Sequence, residues 1–145
     1  MNFDPDRFAI ALLESMSDAV VYSDAAGRIG FWNKGAEQIF GFGKAEALGQ
    51  SLDIIVPEKL RGRHWAGYEK TMQTGTTRYG AGDLLAVPAV RKDGSRISVE
   101  FTIVPFHDEA GRMVGIAAIM RDVTKRFEEM KSVQKRAAGM PGTLP

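Results

Sequence analysis

LLAVPAVRKDGSRISVEFTIVPFHDEAGRMVGIAAIM, residues 84–120, is the stretch that decides the fold. Ile97, Val99, Phe101 and Ile103 alternate with Ser98, Glu100 and Thr102. That two-residue period belongs to a strand with one face against a core. Lys92-Asp93-Gly94-Ser95 before it and His107-Asp108-Glu109-Ala110-Gly111 after it carry the Asp and Gly residues of tight turns. The flanking runs, Leu84 to Arg91 and Met113 to Met120, are apolar and of strand length. Three antiparallel strands joined by hairpins are therefore predicted. Pro88 has no N–H to give to a ladder, which puts the first of the three at an edge or a bulge.

Upstream of these strands, the longest helix is predicted from Val56-Pro57-Glu58 to about Gln73, stopped by Thr74-Gly75. The Gly-rich Tyr79-Gly80-Ala81-Gly82 joins it to the sheet. Three short helical pieces precede it: Gly35 to Phe40, broken by Gly41-Phe42-Gly43; a turn from Lys44 to Leu48, ended by Gly49; and an apolar turn from Ser51 to Ile55. Before them, Ala19 to Ser23 and Ile29 to Asn33 read as a hairpin about Asp24-Ala25-Ala26-Gly27-Arg28, with Gly27 supplying a positive φ and Asn33 capping the next helix. At the start, Asp4-Pro5-Asp6 is an N-cap acceptor, a proline at the first helical position and an acid in the first turn. The helix it opens reaches about Met16, and its apolar surface, with Phe8, Ile10, Leu12 and Leu13, suits a cap or a dimer contact. At the other end, Asp122-Val123-Thr124 opens a last helix to about Ala137, in which Val123, Phe127, Met130, Gln134 and Ala137 follow 4-3-4-3 spacing. Strands at both ends with helices between them imply an α+β fold, one antiparallel sheet covered on one face. A pocket is expected between the long helix and the inner sheet face.

The 145 residues, 44% apolar and 26% charged, suffice for one domain with a core. Cysteine is absent, so disulfides, thiolate catalysis and cysteine metal sites are excluded. The net charge is +1, and the only local basic cluster is Lys59, Arg61 and Arg63, which argues against a nucleic-acid partner. No apolar run reaches membrane-spanning length, and Met1 to Asp6 lacks the features of a secretory leader, so a cytoplasmic location is expected and no membrane partner. No nucleophile–base set or carboxylate pair stands out, and no Lys-Ser/Thr follows Gly80 and Gly82 to make a phosphate loop. An enzyme is not expected.

The residues also carry a family likeness. Asp24-Ala25-Ala26-Gly27 and Trp32-Asn33-Lys34-Gly35-Ala36-Glu37 resemble the opening of PAS (S-box) domains. Phe40-Gly41-Phe42, Leu48-Gly49-Gln50, Val56-Pro57-Glu58, Arg91-Lys92-Asp93-Gly94-Ser95 and Arg121-Asp122-Val123-Thr124 follow in the family's order. The likeness runs from Ser17 to Phe127. It implies a five-stranded antiparallel sheet in order 2-1-5-4-3 and a sensory role in bacterial-type signal transduction. The expected layout is a cap helix over 1–16, the PAS domain over 17–122, an exit helix over 123–138 and a frayed tail over 139–145. Asp122 and Thr124 would couple the sheet to the exit helix, and the flanking helices would make a homodimer. The closing Gly139 to Pro145 reads as a natural terminus, which favours a standalone module acting on a separate effector such as a kinase.

His64 is the residue to weigh in the pocket. Leu60, His64, Gly67, Tyr68 and Thr71 stand at i, i+4, i+7, i+8 and i+11, on one helical face, so His64 is expected to point at the sheet. Trp65 stands about 100° round the helix, as suited to a partner surface as to the pocket. Pro57 to His64 looks like the matching segment of the rhizobial FixL-type haem sensors, whose proximal histidine falls at His64. One axial imidazole suffices when the porphyrin supplies four nitrogens. The resemblance thus implies haem b, with His64 as metal ligand and Leu60, Gly67, Tyr68, Leu85, Phe101, Ile103 and Ala118 around it. Two departures stand out: Asp83 or Leu85 occupies the place of that family's oxygen-stabilising arginine, and Phe101 is bulkier than the aliphatic residue expected. The alternatives are a packed, hydrogen-bonded His64 in a cofactor-free dimerisation module, or a pocket for a small apolar ligand. Photoactive flavin and coumaroyl chemistry need the cysteine this chain lacks. His107 is expected in solvent with no role, and Trp32 in the core or an interface.

Overall fold

The computed structural model describes residues 2–77 and 83–139. The Gly-rich 79–82 and the tail beyond Gly139 lie outside these residues. Helix α1 (Pro5–Ser15) leads into β1 (Ala19–Asp24) and β2 (Ile29–Trp32). Two short helices, α2 (Lys34–Phe40) and α3 (Lys44–Ala47), and two 3-10 turns, Leu52–Ile55 and Glu58–Leu60, come next. Helix α4 (Arg61–Thr74) then crosses to β3 (Leu85–Val90), β4 (Arg96–His107) and β5 (Met113–Asp122), and α5 (Thr124–Ala138) leaves the sheet. The five strands form one antiparallel sheet in the order β2-β1-β5-β4-β3, as expected. Pro88 lies on β3, an edge strand, where its missing N–H costs nothing.

Cross-strand register sorts the faces. Leu85, Phe101, Met120 and Ala19 form one row; Ile103, Ala118, Val21 and Trp32 form the next. Both rows lie on the inner face, with Val99, Ala89 and Ile97, and the core closes over them through Ala36, Phe40, Leu52 and Ile55. Trp32 is fully buried, its indole N–H given to the Phe42 carbonyl, so it belongs to the core.

Asn33 is the polar joint of the N-terminal half. Its Oδ1 accepts from the amides of Val20 and Ala36, at 2.8 and 2.9 Å. Its Nδ2 donates to the carbonyls of Leu13 and Asp18, at 2.7 and 3.0 Å. One side chain thus caps α2, anchors β1 and holds the end of α1. A Glu14–Lys44 ion pair at 2.8 Å ties α1 to α3. No residue of α1 is buried: Phe8, Ile10 and Leu12 are 52%, 63% and 50% exposed.

The long helix starts later than its sequence suggests. Glu58–Leu60 is a 3-10 turn on Pro57, and Leu60, at φ −100° and ψ −4°, interrupts the α geometry before Arg61. Gly75, at φ 72°, ends α4. No helix among the described residues is long and apolar enough to cross a membrane.

Candidate functional site

Helix α4 lies over the inner face and packs on β5. No residue of α4 is buried; its half-buried positions are Arg61, His64, Trp65, Tyr68, Thr71 and Met72. The sheet-facing stripe therefore includes Trp65 and omits Gly67. Gly67 is exposed, with nothing within 4 Å of where a Cβ would stand.

Polar bonds to the sheet and its loops hold α4. The Tyr68 hydroxyl donates to the Asp24 carbonyl at 2.6 Å and shares a 2.8 Å hydrogen bond with Ser23 Oγ, a buried polar atom of β1. Trp65 Nε1 donates to Asp53 Oδ1 at 2.6 Å, and its ring lies on Gly27, where a Cβ would meet Trp65 at 2.1 Å. Gly27 also has the positive φ, 77°, that its turn requires. At the far end, His107 Nε2 bonds the Gly75 carbonyl at 2.9 Å. His107 is exposed as expected, but it tethers the end of α4 to the β4–β5 turn.

The rings of His64, Trp65 and Tyr68 pack against one another as a trio, the His64 centroid 4.7 Å from Trp65 and 5.8 Å from Tyr68, and Trp65 5.3 Å from Tyr68. Its Nδ1 is buried and has no hydrogen-bond partner among the described residues. Burial pushes the imidazole below its ordinary pKa, opposed by the Asp53 carboxylate, so the neutral ring is favoured. Burial likewise raises the Tyr68 phenol, opposed by the Ser23 hydrogen bond.

The other expected residues are placed as follows. Leu85 pairs with Phe101, and Ile103 with Ala118, in adjacent rows of the inner face. All four are half-buried, as is Leu60, so the β3–β4 side of this face is incompletely covered. Asp83 is exposed. An open cleft of about 350 Å3 lies elsewhere, between Ala25 and Ala26 of the β1–β2 turn and Trp65, Tyr68, Glu69, Met72 and Gln73. For a haem group, the donor chemistry fits: a desolvated, neutral imidazole with an orphaned nitrogen, on the helix that covers half-exposed apolar sheet positions.

At the exit, Asp122 accepts the first amide of α5 while Thr124 ties that helix to the sheet. Thr124 Oγ1 accepts from the Ser98 amide of β4 at 2.9 Å, and the Val123 amide donates to the Ser98 carbonyl at 2.9 Å. Asp122 Oδ1 accepts from the Thr124 amide and hydroxyl, at 3.0 and 2.5 Å. Arg126 pairs with Glu100 of β4, and Arg121 with Asp18 at 3.1 Å. Ser23, Asp53 and Ser98 escaped the sequence reading, because their partners lie 45, 12 and 26 residues away.

A five-stranded antiparallel sheet with a helical cover and an exit helix tethered to β4 has the architecture of a sensory signalling module. The chain belongs to the PAS fold family, whose sequence profile matches residues 13–128. It is 28% identical over 130 residues to the sensor protein FixL of Bradyrhizobium diazoefficiens, covering 86% of this chain and 24% of that one. It is 25% identical over 128 residues to the oxygen sensor protein DosP of Escherichia coli, covering 88% of this chain and 16% of that one. The chain thus spans about a quarter or less of the length of these relatives. Among solved structures, a PAS domain from Colwellia psychrerythraea superposes with a TM-score of 0.70 at 26% identity, covering 84% of this chain and 99% of that one.

Proposed function

We propose that this PAS module is a haem-based gas or redox sensor in which His64 supplies the axial ligand. The observation that carries the reading is the orphaned, buried Nδ1 of a neutral His64. A core histidine kept for packing would be expected to satisfy that nitrogen. The likeness to FixL and to an oxygen sensor protein supports it. Haem b would supply an iron centre that reports a diatomic gas or its own redox state. Leu85, Phe101, Ile103 and Ala118 would provide the apolar wall, with Leu60 and Tyr68 contributed by the helix side; exposed Gly67 is not part of it.

The module is non-catalytic in this reading, and its output is a shift between two arrangements of sheet and exit helix. Phe101 and Ile103 lie on the same strand as Ser98 and Glu100, which hold Thr124 and Arg126. A change on the inner face of β4 therefore reaches α5 through one strand. The cap helix and the exit helix would join two copies of the chain, and a separate or continuous effector, such as a kinase, would read the result.

A second reading, a cofactor-free interaction module, is favoured by the apolar residues that α1 and α5 present outward: Phe127, Met130 and Val133 are exposed, like Phe8 and Ile10. Titration of the purified protein with ferric haem separates the two. Stoichiometric uptake with a Soret band that is lost in a folded His64→Ala variant supports the first reading. No uptake, or equal uptake by both proteins, overturns it.

A further inference from the structure

Holding an axial ligand in place demands that its ring be fixed by neighbours, as second-shell groups orient the ligands of other metal sites. His64 has no hydrogen bond of its own to do this among the described residues. Its ring is instead flanked edge-on by Trp65 and at a tilt of 35° by Tyr68. Each flanking residue ends in a polar atom bonded to an element other than α4. Trp65 Nε1 is given to Asp53 Oδ1, in the 3-10 turn Leu52–Ile55. The Tyr68 hydroxyl bridges Ser23 Oγ and the Asp24 carbonyl at the end of β1. Asp24 is itself fixed, because its Oδ1 accepts from the amides of Ala26 and Arg28 across the turn. Arg61 adds a third bond on the same side, from Nη2 to the Asp53 carbonyl at 3.2 Å. These attachments all lie toward β1 and the loop before α4. Toward β3 and β4 the inner face stays half-covered at Leu85, Phe101 and Ile103.

We infer that Ser23 and Asp53 are positioning residues: through Tyr68 and Trp65 they clamp α4 along its β1 side and fix the orientation of the His64 ring that packs on both. The inference rests on the reading of His64 as the sensing ligand, but the clamp exists without haem and is measured without it. Tyr68 then serves as a strut, its hydroxyl already occupied, and makes no hydrogen bond to a ligand.

The test uses the full chain without haem and four variants: Ser23→Ala, Ser23→Thr, Trp65→Phe and the double variant Ser23→Ala/Trp65→Phe. Hydrogen exchange of the α4 amides and the NMR contacts between the rings of His64, Trp65 and Tyr68 are read together. Loss of one net hydrogen bond speeds local opening about three- to tenfold. Ser23→Ala and Trp65→Phe are each expected to do so in α4 while leaving β4 and β5 unchanged. The double variant should lose the fixed His64 ring contacts, and Ser23→Thr, which keeps the hydroxyl, should restore both readouts. Unchanged α4 exchange in both single variants overturns the inference. So does uniform acceleration through the sheet with the His64 contacts intact, or a Thr variant that behaves like Ala. Ferric haem titration of the same proteins adds a separate reading: faster haem loss from Ser23→Ala than from Ser23→Thr supports the clamp. If wild-type protein takes up no haem, the sensing reading fails while the clamp still stands or falls on exchange.

Discussion

Asn33 fixes three elements with one amide, and its chemistry admits no near substitute. Asn33→Asp keeps the shape and both acceptor bonds, yet turns two donors into a carboxylate facing the carbonyls of Leu13 and Asp18. In this buried place the change should cost about 3 kcal/mol, read as a lower urea midpoint; an unchanged midpoint would show that the amide is not the joint. Gly27 differs from Gly94, although both have positive φ. Alanine at Gly94 meets open space, while at Gly27 it meets the Trp65 ring. Both substitutions carry about 1–2 kcal/mol of backbone strain. Only Gly27→Ala should go further and alter the tryptophan emission spectrum; equal effects at the two sites would contradict the packing of Trp65 on that turn. His64 sets a pH dependence of known sign. Its folded pKa lies below the ordinary 6.5, so on acidification the unfolded chain takes up the proton first. Stability at this residue is full above about pH 6.5 and falls below it, until the folded ring titrates. His64→Gln should flatten the loss of denaturation midpoint between pH 7.5 and 5.5; an identical slope would place the acid sensitivity elsewhere.

Among the elements, the strands were legible because their signals are local. The period-two run at Ile97 to Ile103 and the Asp-Gly turns around it mark β3, β4 and β5 without any knowledge of partners. Helix α4 was legible in its existence and its end at Gly75, but not in its start or its rotation. Its low apolar content left the stripe to be inferred from spacing, which admitted Gly67 and left Trp65 open. The structure turns Trp65 inward because Asp53 and the bare backbone of Gly27 receive it. Thr124 was placed correctly at the helix junction, but its bond goes to Ser98, a partner that no local pattern announces. Thr124→Val, which keeps the branched shape, should speed amide exchange at Ser98 and in the first turn of α5 about three- to tenfold, with the inner sheet unchanged. Unchanged exchange at those amides would remove this tether from the output path. Helices α1 and α5 leave apolar side chains exposed, the faces through which two copies would join in the proposed reading. Met130→Glu with Val133→Glu should lower the sedimenting mass of any dimer; an unaltered mass would exclude the exit helix as its interface.

At the scale of the whole molecule, sheet order and helix placement followed from the strand-helix-strand sequence together with the family likeness. The site was harder, since a sensory fold states that something is sensed and leaves its identity to a few side chains. Here those side chains are one orphaned histidine, a half-covered apolar sheet and a set of clamps on one flank. In the haem reading, Asp83 and Leu85 depart from the arginine of the FixL-type likeness, so any stabilisation of a bound gas would have to come from another residue. The most direct measurement is the low-frequency resonance Raman spectrum of the ferrous, haem-loaded protein beside that of a folded His64→Ala variant. An iron–histidine stretching band in the first and its loss in the second is the expected result. The same spectrum from both proteins, or no haem-loaded protein to measure, would contradict His64 as the sensing ligand.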